Sequence, residues 1–439
     1  MKFRGLAIAC AVLLVLSGVL YWSGHHKASK KSSANSLPVI FNVNPATITS
    51  ITIHKTGAAP VTLEKQSTGV WRITAPKSLP ADQPTVKQMI SELSPLKAQR
   101  VIEKQASDLA PFGLDHPPVV IDIAEDNHAK QKLLFGDNTP TGDSAYAMVA
   151  GDPRIFTTYG FNKTDLGMSL NSLRDTRLIY ATPGKMTQIE LSTGGQAIQF
   201  ARRNGNWEIQ KPGPYRANAM AVDAVADALS EARMDLTGPG SQDADAAFAR
   251  GTPVATAKVK APVGTETLVL REDNGNYYAQ SSVTKGAYLV DPSLASALQK
   301  TLISFRNKVV FDFGFNEPNE VNLHIAGGKN GATQSWYLKR SGGNWWLDGK
   351  KMNGSSVEGM ISSLRALKAT KFATTGFTKP EIHVTVISNG GSRVERVAIA
   401  KSGSEYLAKR AGEPTLYVLD PGAVEGLRSA ATAMHTAKK

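Results

Sequence analysis

The chain has 439 residues, 41% of them hydrophobic and 20% charged, the composition of folded protein rather than of a disordered tail or a polytopic membrane protein. Its 38 glycines and 23 prolines follow no short period, which excludes collagen, and one cysteine excludes a disulfide scaffold or a cysteine-based zinc site. Formal charge is +13, yet five of the basic residues (Lys2, Arg4, Lys27, Lys30 and Lys31) fall in the first 31 positions. The remainder is mildly basic and carries no dense basic stripe or stacking motif, so nucleic acid is not expected as a partner.

Lys2 and Arg4 precede an apolar run from Gly5 to Trp22. At about 1.5 Å per residue such a run gives roughly 27 Å of helix, just enough for a bilayer core. Tyr21 and Trp22 stand where an interfacial aromatic belt belongs. Bulky Leu20-Tyr21-Trp22 argues against a signal-peptidase site, and Cys10 lies inside the run rather than after it, which argues against a lipoprotein signal. An uncleaved signal-anchor over residues 1–31 is therefore expected, with cleavage and lipidation as the alternatives. The short N-terminal tail favours N-in topology, a single pass through the bacterial inner membrane, and extracytoplasmic modules. A Ser/Ala/Asn-rich tether over 32–44 follows.

Beyond it the sequence repeats itself three times. Pro45-Ala-Thr-Ile48, Pro183-Gly-Lys-Met186 and Pro318-Asn-Glu-Val321 each open a segment of alternating apolar residues, the mark of a half-buried strand. A turn closing on tryptophan comes next: Gly69-Val70-Trp71, Gly205-Asn206-Trp207 and Gly343-Asn344-Trp345. Val86, Met89, Ile90, Leu93 and Leu96 then match Val222, Val225, Ala226, Leu229 and Ala232, and also Val357, Met360, Ile361, Leu364 and Leu367. This i, i+3, i+4, i+7 spacing predicts one helix of about four turns per copy with a single apolar stripe, and Asp82, Asn218 and Asn353 or Ser355 are placed to cap it. Gly113-Leu-Asp-His-Pro117, Gly251-Thr-Pro253 and Gly376-Phe-Thr-Lys-Pro380 precede further alternating strands. Aromatic strands and closing helices complete each copy, ending in Leu173-Arg174-Asp175 and Phe305-Arg306-Asn307, with no such ending visible in the third. A period of about 135 residues means domain-sized copies rather than a short-unit solenoid. The expected fold is α+β: three tandem modules of mostly antiparallel sheet plus helices, over 45–178, 179–312 and 313–437. The recurrent tryptophans read as packing residues.

Catalytic and metal motifs are sparse. Gly327-Gly-Lys-Asn-Gly331 lacks phosphate-loop spacing and reads as a hairpin turn. Ser94/Lys97 and Ser282/Lys285 are Ser-x-x-Lys matches of the kind that arise by chance, without partner motifs. In Gly136-Asp137-Asn-Thr-Pro-Thr-Gly142-Asp143, Asp137 and Gly142 fit calcium-loop positions one and six. Thr139 and Thr141 replace carboxylates there, Pro140 distorts the loop and Met148 stands at position twelve, so an EF-hand is excluded. The eight histidines are dispersed, and His25-His26 sits at the expected membrane edge. No catalytic residue, cofactor or metal is assigned.

The stretches Leu79-Pro80-Ala81-Asp82-Gln83, Gly113-Leu114-Asp115-His116-Pro117 and Gly136-Asp137-Asn138-Thr139-Pro140-Thr141-Gly142, followed by Tyr146 and Leu173-Arg174-Asp175, resemble the domain-of-unknown-function 4340 family. Copy one, about residues 70–178, carries this pattern in full; the other copies share it through the repeat and lack the Gly-Asp-x-Thr-Pro-Thr-Gly loop. Members are membrane-anchored bacterial proteins often encoded beside ABC-type transporter components, including a gliding-motility-type auxiliary subunit. The resemblance implies an envelope protein with an ABC-type permease, ATPase or auxiliary subunit as partner, and it transfers no catalytic residue.

The expectation is thus a membrane-anchored accessory or binding protein without enzymatic activity. Its partner surface is placed at the loop of Asp137, Thr139, Thr141 and Gly142, the feature that copies two and three lack. Two alternatives stand beside it. One is a spacer that binds an anionic envelope polymer. The other is a hydrolase or transferase using Asp115, Asp137 and Asp143.

Overall fold

The computed structural model describes residues 38–127, 129–314, 318–327 and 333–437. The expected anchor, with Cys10 and the His25-His26 pair, lies outside the described residues, as does most of the Gly327–Gly331 turn. Among the described residues no helix is long and apolar enough to cross a membrane. The chain divides into two compact units, Met1–Thr176 and Arg177–Lys439. Copy one makes up the first unit, and copies two and three share the second.

In copy one the main sheet runs Leu79–Pro80, Trp71–Ala75, Val61–Lys65, Ile48–Lys55, Val119–Glu125, Lys130–Asn138, Ser144–Val149, Ile155–Tyr159, Arg100–Glu103. Every neighbouring pair is antiparallel, because short turns join most strands, and the central pair Ile48–Lys55 and Val119–Glu125 closes the two half-meanders on each other. Ile51, Ile53, Ile121 and Ile123 alternate inward and are at most 1% exposed. Helix Gln83–Leu93 lies on that face and buries Val86, Met89, Ile90 and Leu93, each contributing on the order of 1.5–3 kcal/mol when fully buried. Asp82 caps it by accepting the Thr85 amide at 3.3 Å.

Copy two repeats the order in eight strands and copy three in nine. The helices are Ala219–Ser230 and Gly354–Ala366, with the same first four stripe positions buried; the fifth, Leu96, Ala232 and Leu367, lies past the helix end in each copy and is buried there outside the helix. Asn353 caps the latter through the Ser356 amide at 3.0 Å, whereas Asn218 stands at its cap without a side-chain bond. Closing helices Pro292–Leu298 and Pro421–Thr432 pack on these. In copy two the short helix Ala244–Arg250 covers part of the opposite face, and in copy three Phe377 covers Leu407, Leu416 and Val418 at one end of that face, leaving the strands Pro318–Ile325, Gln334–Ser341 and Asn344–Leu347 open there. The fold is therefore a tandem repeat of mostly antiparallel α+β modules, each with its own core.

Two features depart from the sequence reading. Within the 32–44 stretch expected to be a tether, Val39–Phe41 is a strand paired with Leu96–Lys97, and Ile40, Phe41 and Val43 are buried in the copy-one core. Its alternation is too short to separate from tether by pattern alone. The same element opens the later copies, where the Leu178 amide donates to Ala232 and the Val310 amide to Leu367. The third copy also closes as the others do. The amides of Asp82, Asn218 and Asn353 donate to the carbonyls of Leu173, Phe305 and His435 at 2.8, 2.7 and 2.9 Å. His435-Thr436-Ala437 thus stands where Leu-Arg-Asp and Phe-Arg-Asn stand in copies one and two. A backbone bond of this kind leaves no sequence signature.

Candidate functional site

The copy-one loop is built from three separate pieces of the resemblance pattern. The turn Ala110–Phe112 ends at Gly113, whose φ of +63° favours glycine, and this bend lies against Gly136 and Asp137. A Cβ on Gly136 would overlap the Phe112 carbonyl oxygen, and one on Gly113 would stand 2.6 Å from the Asp137 carboxyl carbon. Phe112 meets Tyr146 edge-on at 5.0 Å. Gly113, Gly136, Asp137 and Tyr146 recur together because they are packed together.

From Asp137 the chain turns tightly. The Thr139 amide donates to the Ser144 carbonyl and the Gly142 amide to the Thr139 carbonyl, both at 2.8 Å, with Gly142 at φ +81°. The Thr139 and Thr141 hydroxyls are 3.1 Å apart. The carbonyl of Asp143 accepts the Gly160 amide at 2.9 Å. Lys163, on the helix begun by Gly160, donates to Asn138 at 3.2 Å. Burial lowers the Lys163 pKa, and the nearby Asp137 carboxylate opposes that shift. Beside this turn Tyr159 and Phe161 stack at 5.3 Å while 44% and 57% exposed, a ring pair that motif reading passed over. Asp137, Thr141, Gly142 and Asp143 are exposed and Thr139 is half-buried.

The three aspartates of the enzymatic alternative have separate tasks. Asp115 accepts from its neighbour His116 at 3.0 Å, which holds its carboxyl below the usual range. Asp137 packs on Gly113, and Asp143 offers its backbone to Gly160. Ser94 donates to the Val43 carbonyl, and Ser282 accepts the Thr267 amide at 2.9 Å. Each Ser-x-x-Lys serine is thereby tied to backbone. Gln83 clamps Trp71 by taking its amide and donating to its carbonyl, each at 2.8 Å. Trp71, Trp207 and Trp345 are all buried, and the indole nitrogens of the latter two donate to Asp223 at 2.7 Å and Glu358 at 3.3 Å. Their packing role is direct.

The densest charge cluster lies inside the second unit, where copies two and three meet. Arg306 is held between the rings of Tyr215 and Phe372, at 4.0 and 3.6 Å, and donates to Thr415 at 2.9 Å. Burial lowers its pKa. Arg216 reaches Glu413 at 3.2 Å, Asp312 at 3.4 Å and the Tyr417 hydroxyl at 3.2 Å. Arg410 bonds Glu413 at 2.7 Å and Glu395 at 3.0 Å; burial alone would lower its pKa, but the two carboxylates hold it raised. Burial raises the Tyr417 phenol, and its 2.7 Å bond to Glu413 adds to this against Arg216. Glu395 also accepts the Asp312 amide at 2.9 Å, as Glu266 accepts those of Tyr180 and Ala181 at 2.8 and 3.0 Å. A cleft of about 550 Å³ opens beside Arg216 and Glu413. Paired cations and carboxylates of this kind tie two modules together. Sequence separation hides the cluster, since Arg216 and Tyr417 are 201 positions apart.

Among the described residues no group of three His, Cys, Asp or Glu side chains is placed to hold a metal ion. Fold and site together define a tandem-repeat protein of sheet-and-helix modules. The chain belongs to the family described as Domain of unknown function (DUF4340), whose model matches residues 71–248 and again 207–385. The matches begin at Trp71 and Trp207, equivalent tryptophans of successive copies, and the second extends the family pattern well beyond copy one. No curated protein and no solved structure matches the chain.

Proposed function

We propose that the chain is a membrane-anchored extracytoplasmic binding protein, an auxiliary component of an ABC-type transporter or cell-envelope complex. The observation that carries this reading is how the polar groups are used. Asp115, the two Ser-x-x-Lys serines and the buried ion pairs are bonded to neighbours, to backbone and into the clamp between copies two and three. Exposed groups, by contrast, gather where a partner could touch them, as at Tyr159, Phe161 and the Asp137–Gly142 turn. The apolar run 5–22 behind Lys2 and Arg4 supports the anchor, and the transporter-linked family members support the kind of partner.

Cross-linking mass spectrometry after mild-detergent purification from native membranes tests this. A permease or ATPase cross-linked to one module is the expected result. Recovery of the protein alone, under conditions that keep known complexes intact, would remove the accessory reading. Phosphatase fusions at the C-terminus test topology separately and should be active. The polymer-binding alternative is favoured by one observation, the open face of the third sheet.

A further inference from the structure

The open face of the copy-three sheet differs from its counterparts. Cross-strand register puts Tyr337 opposite Asn322, Lys339 opposite Glu320 and Trp346, and Trp346 opposite Lys351. These positions alternate with the buried Val321, Leu323, Leu338 and Trp345, so they share the face turned away from the helices. Tyr337 is 53% exposed and Trp346 36%. Both rings are nevertheless held. Tyr337 meets His324 edge-on at 5.1 Å, and the Trp346 indole donates to the Ser341 carbonyl at 3.3 Å. The strands equivalent to these in copies one and two carry no Tyr, Trp or Phe on that face; Trp71, Phe200 and Trp207 point inward and are buried.

Charge on the face is predominantly basic. Going across the sheet, His324 pairs with His383, Thr385 with Arg396, and Ala398 with Lys409. Lys339, Lys351, Lys371, Arg396 and Lys409 thus outnumber the carboxylates Glu320, which Lys339 engages at 3.0 Å, and Glu405, which Lys371 engages at 2.8 Å. In copy one the matching face is neutralised where Asp122 takes both His54 at 2.9 Å and Lys132 at 3.3 Å.

We propose that this face of copy three binds an acidic polysaccharide. Fixed aromatic faces stack on the C–H faces of sugar rings at little cost in ordering, and the cations complement the carboxylates. The polar complement of the same face decides for a sugar over a nucleic acid strand. Asn322, Ser335 and Thr385 each donate and accept, which suits a chain of hydroxyl groups. The choice of an envelope glycan rests on the extracytoplasmic reading above.

The test is binding of the purified full-length chain, in detergent, to immobilised alginate, with dextran and single-stranded oligothymidylate as competitors. Alginate should bind, weaken with salt, and resist displacement by either competitor. Tyr337→Ser with Trp346→Ser should weaken binding at least about tenfold, a loss of about 1.4 kcal/mol, while Trp346→Phe, which keeps a ring, stays close to wild type. Lys339→Gln with Lys409→Gln should remove most of the salt dependence. All these side chains are solvent-facing, and unchanged melting of the variants verifies the fold. No binding to alginate, unchanged binding by the ringless variant, or displacement by oligothymidylate would overturn the proposal. Alginate binding decides this inference, and the phosphatase fusions decide the extracytoplasmic reading independently.

Discussion

Gly136 has no room for a side chain, because the Phe112 carbonyl oxygen occupies the place of a Cβ. Gly136→Ala should therefore destabilise the first unit by about 1–3 kcal/mol, measurable by urea denaturation, since backbone cannot yield as a flexible side chain does. Thr141→Ala, on the exposed turn, should change stability by no more than about 0.5 kcal/mol. The pair separates packing from recognition. If Asp137→Ala with Thr141→Ala abolishes capture of the transporter partner while melting is unchanged, the loop is the contact surface; unchanged capture would remove it. The glycines and Tyr146 are visible in the sequence as a pattern, yet their reason is a contact between segments more than twenty residues apart.

Where copies two and three meet, single elements carry the coupling. Arg306→Ala removes a cation from between Tyr215 and Phe372, and should cost the second unit about 1–3 kcal/mol in thermal or urea unfolding. Tyr417 adds a pH dependence whose sign follows from its raised pKa. The folded state keeps the phenolic proton to higher pH than the unfolded chain does, so stability is fully present below about pH 10 and falls as pH rises past it. Thermal melting at pH 8 and pH 10.5 should show a smaller alkaline loss for Tyr417→Phe than for wild type. Some loss should remain, because burial and Glu425 raise Tyr406 in the same direction.

Cooperativity belongs to the whole molecule. Although three sheets and three main cores recur, copies two and three form one unit. Calorimetry of the full chain should resolve two transitions, one for copy one and one for the joined pair. A fragment of residues 177–439 should melt as the second transition does. One ending at residue 312 should not fold cooperatively, because Arg216 and Arg306 would lose Glu413, Tyr417, Phe372 and Thr415. A single full-length transition with all three copies melting together would contradict this division.

The repeat, the strand alternation and the helix stripes are local periodicities, so the amino-acid order alone determined the α+β class and the tandem plan. Family membership was legible for the same reason: the Ala81-Asp82-Gln83, Gly113-Leu114 and Gly136-Asp137 groups are contiguous strings. Only tertiary structure showed what those strings do, for instance that Gln83 clamps Trp71 and that Gly113 makes way for Asp137. Val39–Phe41 became a strand through pairing with Leu96–Lys97, and His435–Ala437 closed copy three through backbone bonds indifferent to side-chain identity. The clamp around Arg216 and the ring-and-cation face around Trp346 depend on register between strands far apart in the chain. Periodicity is written within a segment, whereas which charges and rings meet is decided by how segments pair, and pairing exists only in the folded molecule.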